Sequence, residues 1–229
     1  MNARTITYTS GLSAKGALLE ETLVVMRHMA QGATVSQVRA MVMDDDLLGK
    51  NTVATRASVW KRIQARYLSD AAHARTIAAM VTQAPDRQTE RLVLFYEFCQ
   101  ATPILRDVTV GCVYPHYAAG FINVDKALIQ QYLDDIAGDH PEVTAWSPQT
   151  RGKVVSNILA VLRDFGLLAG KVHKQFTPLY VPLPAFVYGL YRMVQEGDTT
   201  PQAIIQARDW RLFLLEEQEV IALLDEASA

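Results

Sequence analysis

The segment Ser147–Leu183, with the sequence SPQTRGKVVSNILAVLRDFGLLAGKVHKQFTPLYVPL, decides the fold of the C-terminal half of the chain. Ser147 is expected to cap a helix, because its hydroxyl can accept a backbone N–H, and Pro148 suits the first helical position. The apolar residues that follow at helical spacing are Val154, Ile158, Val161, Leu162 and Phe165. Gly166 is expected to end this helix.

A short β-hairpin is predicted directly after the helix. Its strands are residues 167–170 and 176–183, and its tip is the basic run Lys171–Lys174. Pro178 and Pro182 cannot donate to a ladder and therefore confine the second strand to a sheet edge.

A short helix, a turn, an amphipathic helix and a basic hairpin follow one another as in a winged helix. There, the helix enters the major groove of DNA and the hairpin reaches phosphates or the minor groove. The candidate DNA-binding residues of this half are Gln149, Lys153, Asn157, Arg163, Lys171, His173 and Lys174. The alternatives are an amphipathic helix with a solvated face, or a winged helix that binds protein.

Three helices are predicted at the start of the chain, over residues 13–31, 34–42 and 51–68, and they resemble a helix-turn-helix. The third has an apolar face with Trp60 and Tyr67, which are expected in the core rather than as base-stacking platforms. The candidate DNA-binding residues here are Lys50, Arg56, Lys61, Arg62 and Arg66. Arg62 and Arg66 are predicted to lie opposite the apolar face; the alternative is a bundle helix with a solvated basic face.

The chain as a whole is predicted to be mainly α-helical. Further helices are expected near residues 70–83, 87–101, 124–137, 184–195, 200–207 and 209–226. The predicted fold is a helical bundle with a helix-turn-helix-like N-terminal domain, residues 1–118, and a winged-helix-like C-terminal domain, residues 119–229. The second domain carries the hairpin and an acidic helical tail.

Charge is segregated along the chain, although the formal net charge is only −2. Residues 50–75 hold six basic side chains against one acid, and residues 151–174 hold five against one. The tail after Met193 holds eight acids and two bases. The distribution of charge matters more for binding than the net charge, so the two basic segments are candidate sites for a polyanion. The alternative is that they are solvated surfaces.

No pattern in the sequence indicates catalysis, a metal site or a cofactor. A glycine-rich phosphate loop and a G-x-S-x-G elbow are absent, and the five histidines show no metal-ligand spacing. Cys99 and Cys112 cannot form a disulfide framework. No uncharged stretch is long enough for a membrane span, and the N-terminus does not resemble a secretion signal, so a cytoplasmic protein that is not an enzyme is expected.

Three stretches together resemble the BrxA family of BREX phage-defence systems. They are YTSGLSAKGAL from Tyr8, DLLGKNT from Asp46, and the segment Ser147–Leu183. The resemblance implies a helical body with winged-helix-like parts, binding of double-stranded DNA without known catalysis, and other BREX components as partners. The family is also described as NusB-like, which leaves RNA binding open, and a protein–protein scaffold is the other alternative.

Overall fold

The computed structural model describes residues 7–13, 16–197 and 200–228. The fold is mainly helical with one small antiparallel sheet, which confirms the predicted class. Two compact units divide the chain. The helical unit is Leu18–Ala101, and the sheet-containing unit comprises the described residues of Met1–Ala17 and Thr102–Ala229. These bounds differ from the predicted division after residue 118, because residues from both sides of Leu18–Ala101 pack together.

The helical unit contains five helices. They are α1 (Leu19–Ala30), α2 (Val35–Asp44), α3 (Val53–Tyr67), α4 (Ala71–Thr82) and α5 (Arg87–Gln100). The first was predicted to begin at Ser13 but begins at Leu19, since Leu18 has a left-handed backbone with φ 54°. The side chains of Thr52, Asp70 and Asp86 cap α3, α4 and α5.

Helix α5 forms the centre of the helical unit. Its residues 92–99 are all buried, so the helix is covered on every side. Trp60 and Tyr67 on α3 are only 3% and 2% exposed, which confirms their predicted place in the core. Val53, expected on the same apolar face, is instead exposed at the start of α3.

The sheet-containing unit carries the other helices and the three strands. In chain order its elements are α6 (Pro103–Val108), α7 (Tyr114–Ala118), β1 (Asn123–Val124), α8 (Lys126–Asp135), α9 (Pro141–Thr144), α10 (Pro148–Asp164), β2 (Leu168–Ala169), β3 (Lys174–Phe176), α11 (Leu183–Glu196), α12 (Pro201–Ile205) and α13 (Glu217–Ser228). A π-helical turn, Thr109–Val113, joins α6 to α7, and a 3-10 segment, Arg208–Phe213, precedes α13.

Helix α10 follows the prediction closely. The Ser147 hydroxyl accepts the Thr150 amide, and Gly166 turns the chain with φ 88° just after the helix. All five predicted apolar residues, Val154, Ile158, Val161, Leu162 and Phe165, are buried.

The sheet has the order β1-β3-β2. The predicted second strand, 176–183, was wrong in its extent, because β3 ends at Phe176, before Pro178. It was also wrong in its position, since β3 pairs with both neighbours and is the central strand. Asn123 pairs with Gln175, so β1 joins the hairpin from a distant part of the chain.

Candidate nucleic-acid interface

A cleft of about 500 Å³ lies in the sheet-containing unit, between the β1–α8 junction, α10 and the β2–β3 hairpin. We call it the basic cleft. The basic residue types in its lining are Lys126, Arg163, Lys171, His173 and Lys174. The structure thus brings four residues predicted from the sequence to one place, together with Lys126, which was not predicted.

Two ammonium groups of the basic cleft are exposed and unneutralised. Among the described residues, no carboxylate forms an ion pair with Lys126 or Lys171. His173 is also exposed at the hairpin tip. Arg163 is half-buried and binds the Asp164 carboxylate, with Nη2 2.6 Å from Oδ1.

Lys174 was predicted to be a DNA-binding residue at the hairpin tip, but its ammonium is not free in the structure. The residue is only 8% exposed, and its Nζ donates to the carbonyl oxygens of Gly170 at 2.7 Å and Lys171 at 2.5 Å. Burial lowers the pKa of Lys174, and the neighbouring charges of Arg163 and Lys126 lower it further. This ammonium holds the hairpin turn from inside.

The outer face of α10 presents two of the predicted polar side chains, since Gln149 and Lys153 are exposed. Asn157, also a predicted DNA-binding residue, is half-buried. Its Nδ2 donates to the Leu12 carbonyl oxygen at 2.5 Å and so anchors the N-terminal 3-10 turn, Ser10–Ser13, against α10. The amide therefore has a structural partner within its own unit.

The predicted cations at the start of α3 are engaged within the helical unit. Lys50 forms an ion pair with Glu21, Nζ to Oε1 2.8 Å. Arg56 lies 3.0 Å from the Asp46 carboxylate and donates to the carbonyl oxygens of Lys50 and Met43, both at 2.9 Å. These contacts fasten the α2–α3 loop to α3.

Farther along α3, the prediction that Arg66 lies opposite the apolar face was wrong. Arg66 is 9% exposed, and its guanidinium lies 3.7 Å from the centroid of the Phe98 ring. Burial lowers its pKa to about 10, so it remains charged at neutral pH. Arg62 is half-buried, and Lys61 is the exposed cation among these three.

Lys126 is the residue that sequence reasoning missed. It follows the N-cap Asp125, whose carboxylate accepts the Leu128 amide at 2.9 Å. It reaches the basic cleft because β1, two residues before it, pairs with β3. A strand of two residues is too short to show an alternating pattern in the sequence, so the pairing of β1 with β3 could not be predicted. The Asp125 cap indicates only that a helix begins at Lys126.

A metal site, a reactive cysteine and a membrane-spanning helix each have requirements that can be compared with the part of the chain that the structure describes. No group of three or more His, Cys, Asp or Glu side chains is arranged to hold a metal ion there. Both cysteines are buried, and burial raises the pKa of Cys112 to about 11. None of the described helices combines the length and hydropathy needed to cross a lipid bilayer.

Comparisons with known proteins place the fold and the family. The chain is similar to the crystal structure of an uncharacterized protein from Magnetospirillum magneticum, with a TM-score of 0.69 and 14% identity, over 91% of this chain and 98% of that one. No curated protein matches the chain. The BrxA family model matches residues 6–187, which is well over half of the sequence. The chain therefore belongs to the BrxA family.

Proposed function

We propose that the protein binds double-stranded DNA, without catalysis, in the bacterial cytoplasm. BrxA membership associates it with BREX phage defence, and the proposed role there is that of an accessory protein. The observation that carries the proposal is the basic cleft, where cations from three elements converge although the whole chain is slightly acidic.

The elements around the cleft support a winged-helix interpretation. Helices α8, α9 and α10 come before the β2–β3 hairpin, and β1 adds a third strand to it, which supports this interpretation. In that interpretation α10 enters the major groove, with Gln149 and Lys153 on its outer face, and the hairpin lies along the phosphate backbone.

The helical unit contributes less to the proposal than the sequence indicated. Lys50, Arg56 and Arg66 have internal partners, so using them to neutralise phosphates would cost contacts within the fold. Lys61, which is exposed, is the remaining candidate on α3. The proposed DNA contact therefore centres on the sheet-containing unit.

Fluorescence anisotropy with a labelled duplex, the matching single strand and a structured RNA tests the function. We expect the duplex to bind most tightly and with little sequence preference. If about 4–6 phosphates are neutralised, log affinity should fall against log salt with a slope of about −4 to −5. No duplex binding at low salt, or a slope near zero, would reject DNA binding. Tighter binding of the RNA would favour the NusB-like alternative.

A protein–protein scaffold is the second candidate, and α11 favours it. Val187, Tyr191 and Val194 are all more than 40% exposed and follow one another at helical spacing. Such an apolar stripe suits a helical partner. Purification with the other BREX components, using the wild type and Tyr191→Asp, tests it. Loss of a partner with the variant while DNA binding stays intact would support the scaffold.

A further inference from the structure

The basic cleft gathers like charges around one half-open space. Lys126, Arg163 and Lys171 come from α8, α10 and the hairpin, and the buried Lys174 lies beside them. Two carboxylates lie close by: Asp125 lines the cleft and accepts the Leu128 amide, and Asp164 binds Arg163. Among the described residues Lys126 and Lys171 have no carboxylate partner, so the potential between them favours an anion.

The shape of the cleft differs from that of a flat basic surface. Its volume of about 500 Å³ lies in the range of small-molecule sites. Leu159 and Val124, which are buried, form an aliphatic part of the lining. Ser156 adds a hydroxyl, although that group already donates to the Gly152 carbonyl at 2.8 Å. The cationic side chains suit a phosphate group, and the aliphatic side chains suit the sugar and base joined to it.

We propose that the basic cleft is a discrete phosphate-binding pocket that holds the phosphate group of one nucleotide between Lys126, Arg163 and Lys171. The pocket rests on the proposed function, because the phosphate that it would hold is one of a DNA backbone. A free nucleotide carries the same group and is the second source. The pocket thus fixes one phosphate at a defined position, whereas other phosphates meet exposed charges along α10 and the hairpin.

The pocket and a diffuse basic surface differ in how they bind an isolated nucleotide. A single exposed cation in water gains very little from one phosphate, because water and salt screen the pair. Several cations that converge on one phosphate in a cleft bind it without help from neighbouring phosphates. Binding of a mononucleotide therefore separates the two arrangements.

Isothermal titration calorimetry on the full chain, at about 20 mM salt to limit screening, tests the pocket. The probes are dAMP, inorganic phosphate and adenosine, which lacks the phosphate. We expect one dAMP and one phosphate per chain and no heat from adenosine. The variant Lys126→Ala/Lys171→Ala should weaken dAMP about tenfold or more, since each exposed charge contributes to the contact. Because both side chains are exposed, its melting temperature should match that of the wild type.

The matched control is Arg27→Ala/Arg39→Ala, which removes two exposed cations from the helical unit. It should change dAMP affinity less than about twofold. Absence of dAMP binding, equal binding by the cleft variant, or equal binding of adenosine would each overturn the pocket.

Duplex binding, measured in parallel, separates this inference from the proposed function. Competition between dAMP and the duplex would support a backbone phosphate in the pocket. A duplex that binds when dAMP does not would overturn the pocket and leave DNA binding standing. If dAMP binds in a cleft-dependent manner and the duplex does not, DNA binding is rejected and the pocket stands with the free nucleotide as its source.

Discussion

The Lys174 ammonium donates a hydrogen bond to the Gly170 carbonyl oxygen, 2.7 Å away, across the turn of the β2–β3 hairpin. Gly170 itself has φ 91°, and a Cβ built on it would lie 1.9 Å from the His173 carbonyl oxygen. Both residues are therefore required by the turn. Lys171 and His173 at the hairpin tip are exposed, whereas the Lys174 ammonium is taken up by hydrogen bonds within the turn.

Replacement of Gly170 by alanine should lower the free energy of unfolding by about 1–3 kcal/mol, since it combines a left-handed backbone with a steric clash. Urea denaturation measures the change. The control is Gly152→Ala in α10, where an added Cβ meets nothing within 4 Å. That variant should gain about 0.5–1 kcal/mol from helix propensity. A Gly170→Ala protein as stable as the wild type would contradict the described turn.

Lys174→Ala should destabilise the protein by about 1–3 kcal/mol, because two carbonyl oxygens lose a charged donor. Lys171→Ala, at the exposed neighbour, should stay within about 0.5 kcal/mol of the wild type. Thermal denaturation of the two variants side by side checks this difference. Equal stability of both would mean that the Lys174 ammonium is solvated in solution.

Arg66→Ala should lower stability by about 2–4 kcal/mol. The change removes a desolvated cation–π contact with Phe98 and the packing of a long, buried side chain. Lys61→Ala, five residues earlier and exposed, should leave the free energy of unfolding within about 0.5 kcal/mol of the wild type. Chemical denaturation measures both. Unchanged stability of Arg66→Ala would mean that Arg66 lies at the surface in solution, as the sequence predicted.

Acid should release the contact between Glu142 and Tyr8. The Glu142 carboxylate accepts the Tyr8 backbone N–H at 2.7 Å, and this bond lowers the pKa of Glu142. Because the folded pKa lies below the unfolded one, the ionised group stabilises the contact above the ordinary pKa, and the stabilisation is lost as pH falls through the lowered value.

The Tyr8 amide proton shift, followed by NMR against pH, reports this titration directly. We expect a midpoint below the ordinary glutamate value of 4.5. In Glu142→Ala the acid transition of that amide should disappear, whereas in Glu226→Ala, which changes an exposed residue of α13, it should remain. A midpoint at or above 4.5 would mean that the bond does not form.

Local signals predicted the helices well, because capping and apolar spacing act over a few residues. Ser147, Pro148 and Gly166 defined α10 before any tertiary contact was known, and the five buried positions followed from its periodicity. The stripe on α3 was only partly predicted. Trp60 and Tyr67 are buried as expected, but the buried face extends to Arg66.

The parts that the sequence could not predict depend on partners far away in the chain. Arg66 is buried because its guanidinium packs on the ring of Phe98 in α5. A helical wheel of α3 contains no information about α5. Asn157 is engaged by the Leu12 carbonyl, 145 residues earlier. Lys126 joins the cleft through pairing of β1 with β3. In each case a tertiary contact decides whether a polar side chain is available for a ligand.

The salt dependence of duplex binding should identify which exposed cations contact phosphate. Lys153 on α10 and Lys171 on the hairpin are exposed, and no carboxylate among the described residues pairs with either. If each neutralises one phosphate, Lys153→Ala/Lys171→Ala should make the slope of log affinity against log salt less steep by about two, because about 0.9 counterion is released per contact. The double variant Arg27→Ala/Arg39→Ala, with the same charge removed elsewhere, should keep the wild-type slope. A slope that the first variant leaves unchanged, with duplex affinity intact, would place the phosphate contacts outside α10 and the hairpin and would contradict the proposed docking of this unit on DNA.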